Sequence, residues 1–129
     1  MQPTLVVNLR SKRYDVYIGR AGRGEDGYYG NPYVRGEKCV RCGQLHLTAA
    51  STLPCFNEYF LARLGSDAEY RARIRGLKGK TLGCFCLEGN PCHGRVMADW
   101  LNRPDAEIER DIEVLVSKVI KTQDLSTDG

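Results

Sequence analysis

No apolar run in this 129-residue sequence approaches the roughly 20 residues that a membrane-spanning helix requires. The opening MQPTLVVNLR lacks an apolar h-region and a cleavage site, so the expectation is a cytoplasmic chain with no membrane partner. The H-x-E and P-C-x-x-C pair of the zinc deaminases is missing as well, which removes that chemistry. Internal repeats and low-complexity tracts are also absent. What remains is one domain, long enough to bury a core without disulfides.

Charge is near balance in total, 19 Lys and Arg against 16 Asp and Glu, but it is unevenly spread. Residues 1–103 hold 16 basic and 9 acidic side chains (net +7), and residues 104–129 hold 3 and 7 (net −4). A basic body with an acidic end points to a polyanionic partner, a nucleotide or nucleic acid. An acidic solvated helix face explains the second half equally well.

The runs TLVVNL and YDVYIG read as strands, together a candidate hairpin. Arg20 to Gly36 is a glycine-rich loop with Pro32 and three tyrosines, long enough to carry function. Helices are expected over about 54–64 and 66–75, the second with Ser66 and Glu69 as a capping box. KTLGCFC reads as a short buried strand, and PCHGRVMADWL as a helix opened by Pro91. From 104 to 121, Ile108, Ile112, Leu115, Val119 and Ile120 fall on one side at helical spacing. Asp105, Glu107 and Glu109 start this helix and Lys118 and Lys121 end it, as the helix dipole favours. Residues 122–129 are read as a frayed tail. The sum is an α/β fold: one small domain, a central mixed sheet of few strands, flanking helices, and a Cys-rich zinc-binding insertion at about 37–55.

Six cysteines in a reducing compartment are read first as metal ligands or reactive thiols. Cys39 and Cys42 form C-x-x-C with Gly43 directly after, and His46 and Cys55 can complete four ligands. Cys55 can equally sit in a helix as core. Downstream, Cys84 and Cys86 share one face of a strand, and the turn LEGNP returns Cys92 and His93 at a helix start. Cys84, Cys86 and Cys92 make a candidate three-cysteine zinc site, leaving His93 free as acid, base or donor, with Cys92 a candidate nucleophile. The competing reading is that Cys84 and Cys86 are small buried hydrophobes. One ion shared between Cys39, Cys42 and two downstream cysteines is a further arrangement.

The ordered motifs VVNLR, VYIGR, GNPY, LKGKTLGCFC and NPCHGRVMADWL, over about residues 5–102, resemble the domain of unknown function 4326, a small family from bacteria and their phages. The resemblance implies a fold rather than an activity. Its members commonly carry Asp two residues after the Cys-His pair, where this sequence has Arg95. The Cys39–Cys55 segment looks like an addition to the usual pattern, which favours an independent zinc staple.

Asn8, Arg10, Arg20, Asn31, His93 and Arg95 all flank strand ends, glycine loops or a helix start, where open α/β sheets bind ligands. Arginine is the preferred bidentate partner of phosphate, and the YYGNPY loop adds rings able to stack on a base. Two functions are carried forward. One is an enzyme acting on a nucleotide, nucleoside or nucleic-acid base, hydrolase- or transferase-like, with Cys92 or a metal-bound water as the reactive group and His93 assisting. The other is a zinc-stabilised binding module for nucleic acid or protein.

Overall fold

The computed structural model describes residues 2–10, 12–20, 22, 24–34, 36–48, 50–84 and 92–127. Its centre is a three-stranded parallel sheet in the order β1-β3-β2, with β1 at Leu5–Asn8, β2 at Val16–Tyr17 and β3 at Thr81–Cys84. Leu5 pairs with Thr81 and Asn8 with Cys84 on one side of β3, and Val16 pairs with Leu82 on the other. The α/β class stands, with two corrections inside it. The sheet is parallel rather than mixed among the described residues, and β1 and β2 are not a hairpin because β3 lies between them. Leu82, fully buried, is the kind of side chain a central parallel strand requires.

Among the described residues four helices pack around the sheet, α1 Leu53–Ser66, α2 Ala68–Arg75, α3 His93–Leu101 and α4 Asp105–Thr127, with α3 against β1 and with α2, α3 and α4 against α1. A 3-10 turn at Ala50–Thr52 leads into α1, whose first turn holds Pro54, where a missing N–H costs nothing. The expected cap of α2 shifts by one residue. Ser66 is the last residue of α1, and Asp67 is the cap, its carboxylate accepting from the Tyr70 N–H at 3.0 Å. That bond, together with Arg63, holds the Asp67 carboxyl below its usual pKa. Cys92, expected in the first turn of α3, is its N-cap, and Pro91 and Cys86 lie outside the described residues.

The core is a slab of Ile18, Phe56, Phe60, Leu64, Leu82, Met97, Leu101 and Ile108 between sheet and helices. Phe56 stacks on Phe60 at 6.0 Å, and Trp100 meets Phe60 edge-on at 5.7 Å. Trp100 keeps its polar atom satisfied by donating to Asp111 at 2.7 Å, which ties α3 to α4. α4 docks on α1 through Ile108, fully buried, and through half-buried Ile112 and Leu115. Ile120 departs from the expected stripe and is exposed. The helix continues past 121 to Thr127, so Lys118 and Lys121 are not in its last turn.

Gly94 explains why α3 can seat on the sheet. A Cβ there would stand 2.5 Å from Ile18 Cδ1 and 3.1 Å from a Val6 methyl, so only glycine lets the helix start approach this closely. No helix among the described residues is long and apolar enough to cross a membrane.

Candidate metal centre and ligand cleft

The Cys-rich segment folds as a tight ribbon. Gly36 donates to His46 O at 2.7 Å, Cys39 N–H donates to Gln44 O at 2.8 Å, and Lys38 faces Leu45 across the ribbon. Gly43 closes the turn with a positive φ of 76°, a conformation that favours glycine, and donates to Cys39 O. The turn aims two backbone N–H groups at one sulfur: Arg41 at 3.3 Å and Cys42 at 3.5 Å from Cys39 Sγ. Burial alone would raise the Cys39 pKa. Those N–H groups, with His46 and Cys55 beside them, outweigh it and bring the thiol down to about 6. Cys55 goes the other way, up to about 12, because it is buried and faces two more sulfurs.

The ligand atoms of Cys39, Cys42, His46 and Cys55 all lie within 4.8 Å of one another, a set that can hold a metal ion. Cys55 is both the helical core residue and a member of the set: it enters α1 in the first turn and turns its sulfur to Cys39 at 3.7 Å. The tautomer of His46 follows from its neighbours. Ser51 spends its hydroxyl proton on Thr48 O at 2.8 Å, so its oxygen accepts from His46 Nδ1–H at 3.2 Å. That leaves the Nε2 lone pair facing Cys42 Sγ at 3.6 Å, the state a metal ligand needs.

The second cluster sits where the sheet ends. Because the strands are parallel, Asn8, Tyr17 and Cys84 finish on one edge, with the start of α3 beside them. Cys84 and Cys92 are buried with their sulfurs 3.2 Å apart. His93 is buried too. Its Nε2 donates to the Ile18 carbonyl at 2.6 Å, which leaves the Nδ1 lone pair 3.8 Å from Cys92 Sγ. Burial lowers the His93 pKa, and the ring packs edge-on against Phe56 at 5.3 Å. Cys86, the third expected member, lies outside the described residues.

The residues expected as ligand binders divide. Asn8 and Asn31 are buried braces: Asn8 Oδ1 accepts from Arg10 N–H at 2.9 Å, while Asn31 accepts from Tyr33 N–H and donates to Thr52, both at 2.9 Å. Arg10 follows β1 and Arg95 lies on the exposed side of α3. Arg20 donates to Tyr33 O at 2.9 Å and borders a cavity of about 290 Å³, together with Tyr28, Asn31, Pro32, Tyr59 and Arg63. Asn8, Arg10, His93 and Arg95 are not in its walls. The single cleft expected to gather all of them is therefore divided between the sheet edge and this cavity. Residues 22–27, GRGEDG, match the G-x-G-x-x-G spacing, but no helix follows among the described residues before residue 50, so the match is not a dinucleotide turn.

Sequence reasoning missed Arg63, Tyr59 and Arg41. Arg63 lies 4.0 Å from the Tyr70 ring centroid and 4.9 Å from that of Tyr28, and donates to Tyr59 Oη at 2.8 Å. The available signal was Tyr59, Arg63 and Asp67 at four-residue spacing along α1 and its C-cap. Arg41 links the two sites: its N–H meets Cys39 Sγ, and its Nε donates to Tyr33 Oη at 2.6 Å.

The comparisons with known proteins come from the same core. The family model described as "Domain of unknown function (DUF4326)" matches residues 7–103. The "uncharacterized 12.4 kDa protein in nrdA-td intergenic region" of Enterobacteria phage T4 is 32% identical over 98 residues, 76% of this chain and 77% of the relative. No solved structure matches.

Proposed function

Because the chain belongs to the DUF4326 family, whose match spans the α/β core, we propose that it is a zinc-stapled, phage-type protein that binds and acts on a nucleotide or nucleic-acid end. The observation that carries the zinc half is the spacing of the Cys39 tetrad. Two sulfurs on one tetrahedral zinc stand about 3.8 Å apart, and a sulfur and an imidazole nitrogen about 3.6 Å, from ordinary zinc bond lengths. The tetrad has 3.7 Å between Cys39 and Cys55 and 3.6 Å between Cys42 and His46. With four protein ligands the ion is structural, and deprotonation of high-pKa Cys55 is work a divalent cation does well. A reducing, cytoplasmic compartment keeps these thiols available. The Cys84–Cys92 spacing of 3.2 Å is shorter than such an edge, which favours a thiol pair there over a second zinc.

The ligand half rests on the sheet edge and its basic surroundings. The C-terminal ends of the strands, the α3 N-terminus, Arg10 after β1 and Arg95 on α3 belong to that region, and Arg20 at the neighbouring cavity also acts on His93, which suits an anionic ligand. In the enzyme reading, His93 Nδ1 takes the Cys92 proton while the Ile18 carbonyl fixes the ring, giving a thiolate nucleophile. A non-catalytic binding module is the second reading, favoured by the burial of Cys92 and His93, 5% and 8% exposed.

The test uses zinc-loaded protein with nucleotides and short single-stranded oligonucleotides, measuring binding and analysing products by mass spectrometry. Turnover lost in Cys92→Ser, with affinity kept, supports the enzyme. Binding without products supports the module. Absence of any binding removes the nucleotide reading and leaves the zinc staple standing.

A further inference from the structure

The cavity between the β2–α1 loop and α1 has walls that the zinc staple and the Cys-His pair leave unused. Two arginines border it, and no carboxylate does. Arg63 commits Nε to Asp67 at 3.4 Å and Nη1 to Tyr59 and to the Tyr28 carbonyl. Its Nη2 has no partner among the described residues. Among the described residues Arg20 commits only Nη2, to Tyr33 O, which leaves Nε and Nη1. The guanidinium of Arg63 is held by the rings of Tyr28 and Tyr70 and cannot swing away, so its remaining donors are fixed in advance. Tyr28 and Tyr59 supply the aromatic walls.

Resting on the nucleotide reading above, we infer that this cavity is the seat of a single nucleotide with a terminal phosphate, its monoester held by Arg20 and Arg63 and its base against Tyr28. Three features select this class. Two guanidinium charges, with Nη2 of Arg63 and the remaining donors of Arg20, match the oxygens and the double charge of a phosphomonoester better than the single charge of a diester. The volume of about 290 Å³ is at the small end for ligand pockets, room for one nucleotide and not for a duplex. Arg63 and Arg73 already lie over the Tyr28 ring, at 4.9 and 4.4 Å, so a base meets the Tyr28 and Tyr59 wall by apolar contact that tolerates any base, and selectivity falls on the phosphate.

The positions of the two arginines also differ in a way a test can use. Arg20 is exposed and bonds only one carbonyl, so Arg20→Ala leaves the core intact. Arg63 is part of the fold, so Arg63→Lys keeps the charge and the stem while removing the planar fork.

The experiment is calorimetric titration of the zinc-loaded full chain with a nucleoside 5′-monophosphate, the matching nucleoside and inorganic phosphate. The monophosphate is expected to bind at least about tenfold more tightly than the nucleoside, because charged hydrogen bonds to phosphate are lost. Arg20→Ala and Arg63→Lys each lower monophosphate affinity by about tenfold or more, and the Arg20 loss shrinks at high salt. Tyr28→Leu, which removes both the wall against the base and one ring that holds Arg63, weakens the monophosphate more than inorganic phosphate. Equal binding of nucleoside and monophosphate, or wild-type affinity in both arginine variants, overturns the assignment. A labelled single-stranded oligonucleotide separates the two levels of failure. If it binds and the monophosphate does not displace it, the cavity assignment falls while the nucleic-acid reading stands. If neither binds, both fall.

Discussion

Ser51→Ala is the sharpest probe of the metal centre, because it replaces no proposed ligand and acts only through His46. The Ser51 hydroxyl accepts from His46 Nδ1–H at 3.2 Å and passes its own proton to Thr48 O. Removing it leaves the imidazole free to rotate and to change tautomer. The Ser51 N–H to Thr48 Oγ1 bond remains, so the turn into α1 is kept and thermal stability of the zinc form should change little. Loss of such an outer partner weakens metal binding by about 10–100-fold. Ser51 is exposed, so water can replace its oxygen, which places the expected loss near about tenfold, or about 1.4 kcal/mol. Competition with a chromophoric zinc chelator reads the shift directly. The variant should still bind the same number of zinc ions, with a midpoint displaced by about that factor. A competition curve superimposed on that of the wild type would refute the role of Ser51 in orienting His46. Complete loss of zinc would refute it too, by showing that Ser51 does more than orient.

Other expectations follow from the packing. Gly94→Ala drives a methyl into Ile18 and Val6 and should cost about 1–3 kcal/mol, seen as a lower unfolding midpoint in urea. A variant as stable as wild type would show that α3 does not need its close seat. Ile108→Ala empties a fully buried site between α4 and the core and should cost about 2–5 kcal/mol by the same assay. Burial depresses the His93 pKa below its ordinary value of 6.5. Between those two pKa values the unfolded chain binds more protons, so stability from this group is present above about pH 6.5 and lost as pH falls through the folded pKa. The His93 ring resonance followed by NMR should titrate below 6.5, and a midpoint at or above it would contradict the burial argument.

The C-x-x-C-Gly turn and its two distant partners were legible in the sequence because ligand chemistry imposes spacing on a short ribbon. Cys39, Cys42, His46 and Cys55 meet as that spacing implied. Strand identities were legible too, from β-branched runs, but their pairing was not. Nothing local in TLVVNL or YDVYIG says that Thr81–Cys84, far along the chain, inserts between them. The α2 cap moved by one residue because Ser66 and Asp67 are adjacent capping residues, and tertiary packing against Arg63 chose the second. Arg63 escaped notice because α1 reads as a core helix. Its role appears only when the glycine-rich loop folds back and lays Tyr28 over it. Asn8 and Asn31 show a second role that the sequence did not reveal: both brace their loops through side-chain hydrogen bonds, and Asn31 also borders the cavity.

The central claim, a structural zinc held by the Cys39 tetrad, is tested most directly by the metal content of the purified protein. Elemental analysis of wild type and of Cys39→Ser/Cys42→Ser, prepared without added metal, should differ by one zinc per chain, with a lower unfolding temperature in the variant. A folded, metal-free wild type with six titratable thiols would contradict the account, as would a double variant that keeps its zinc.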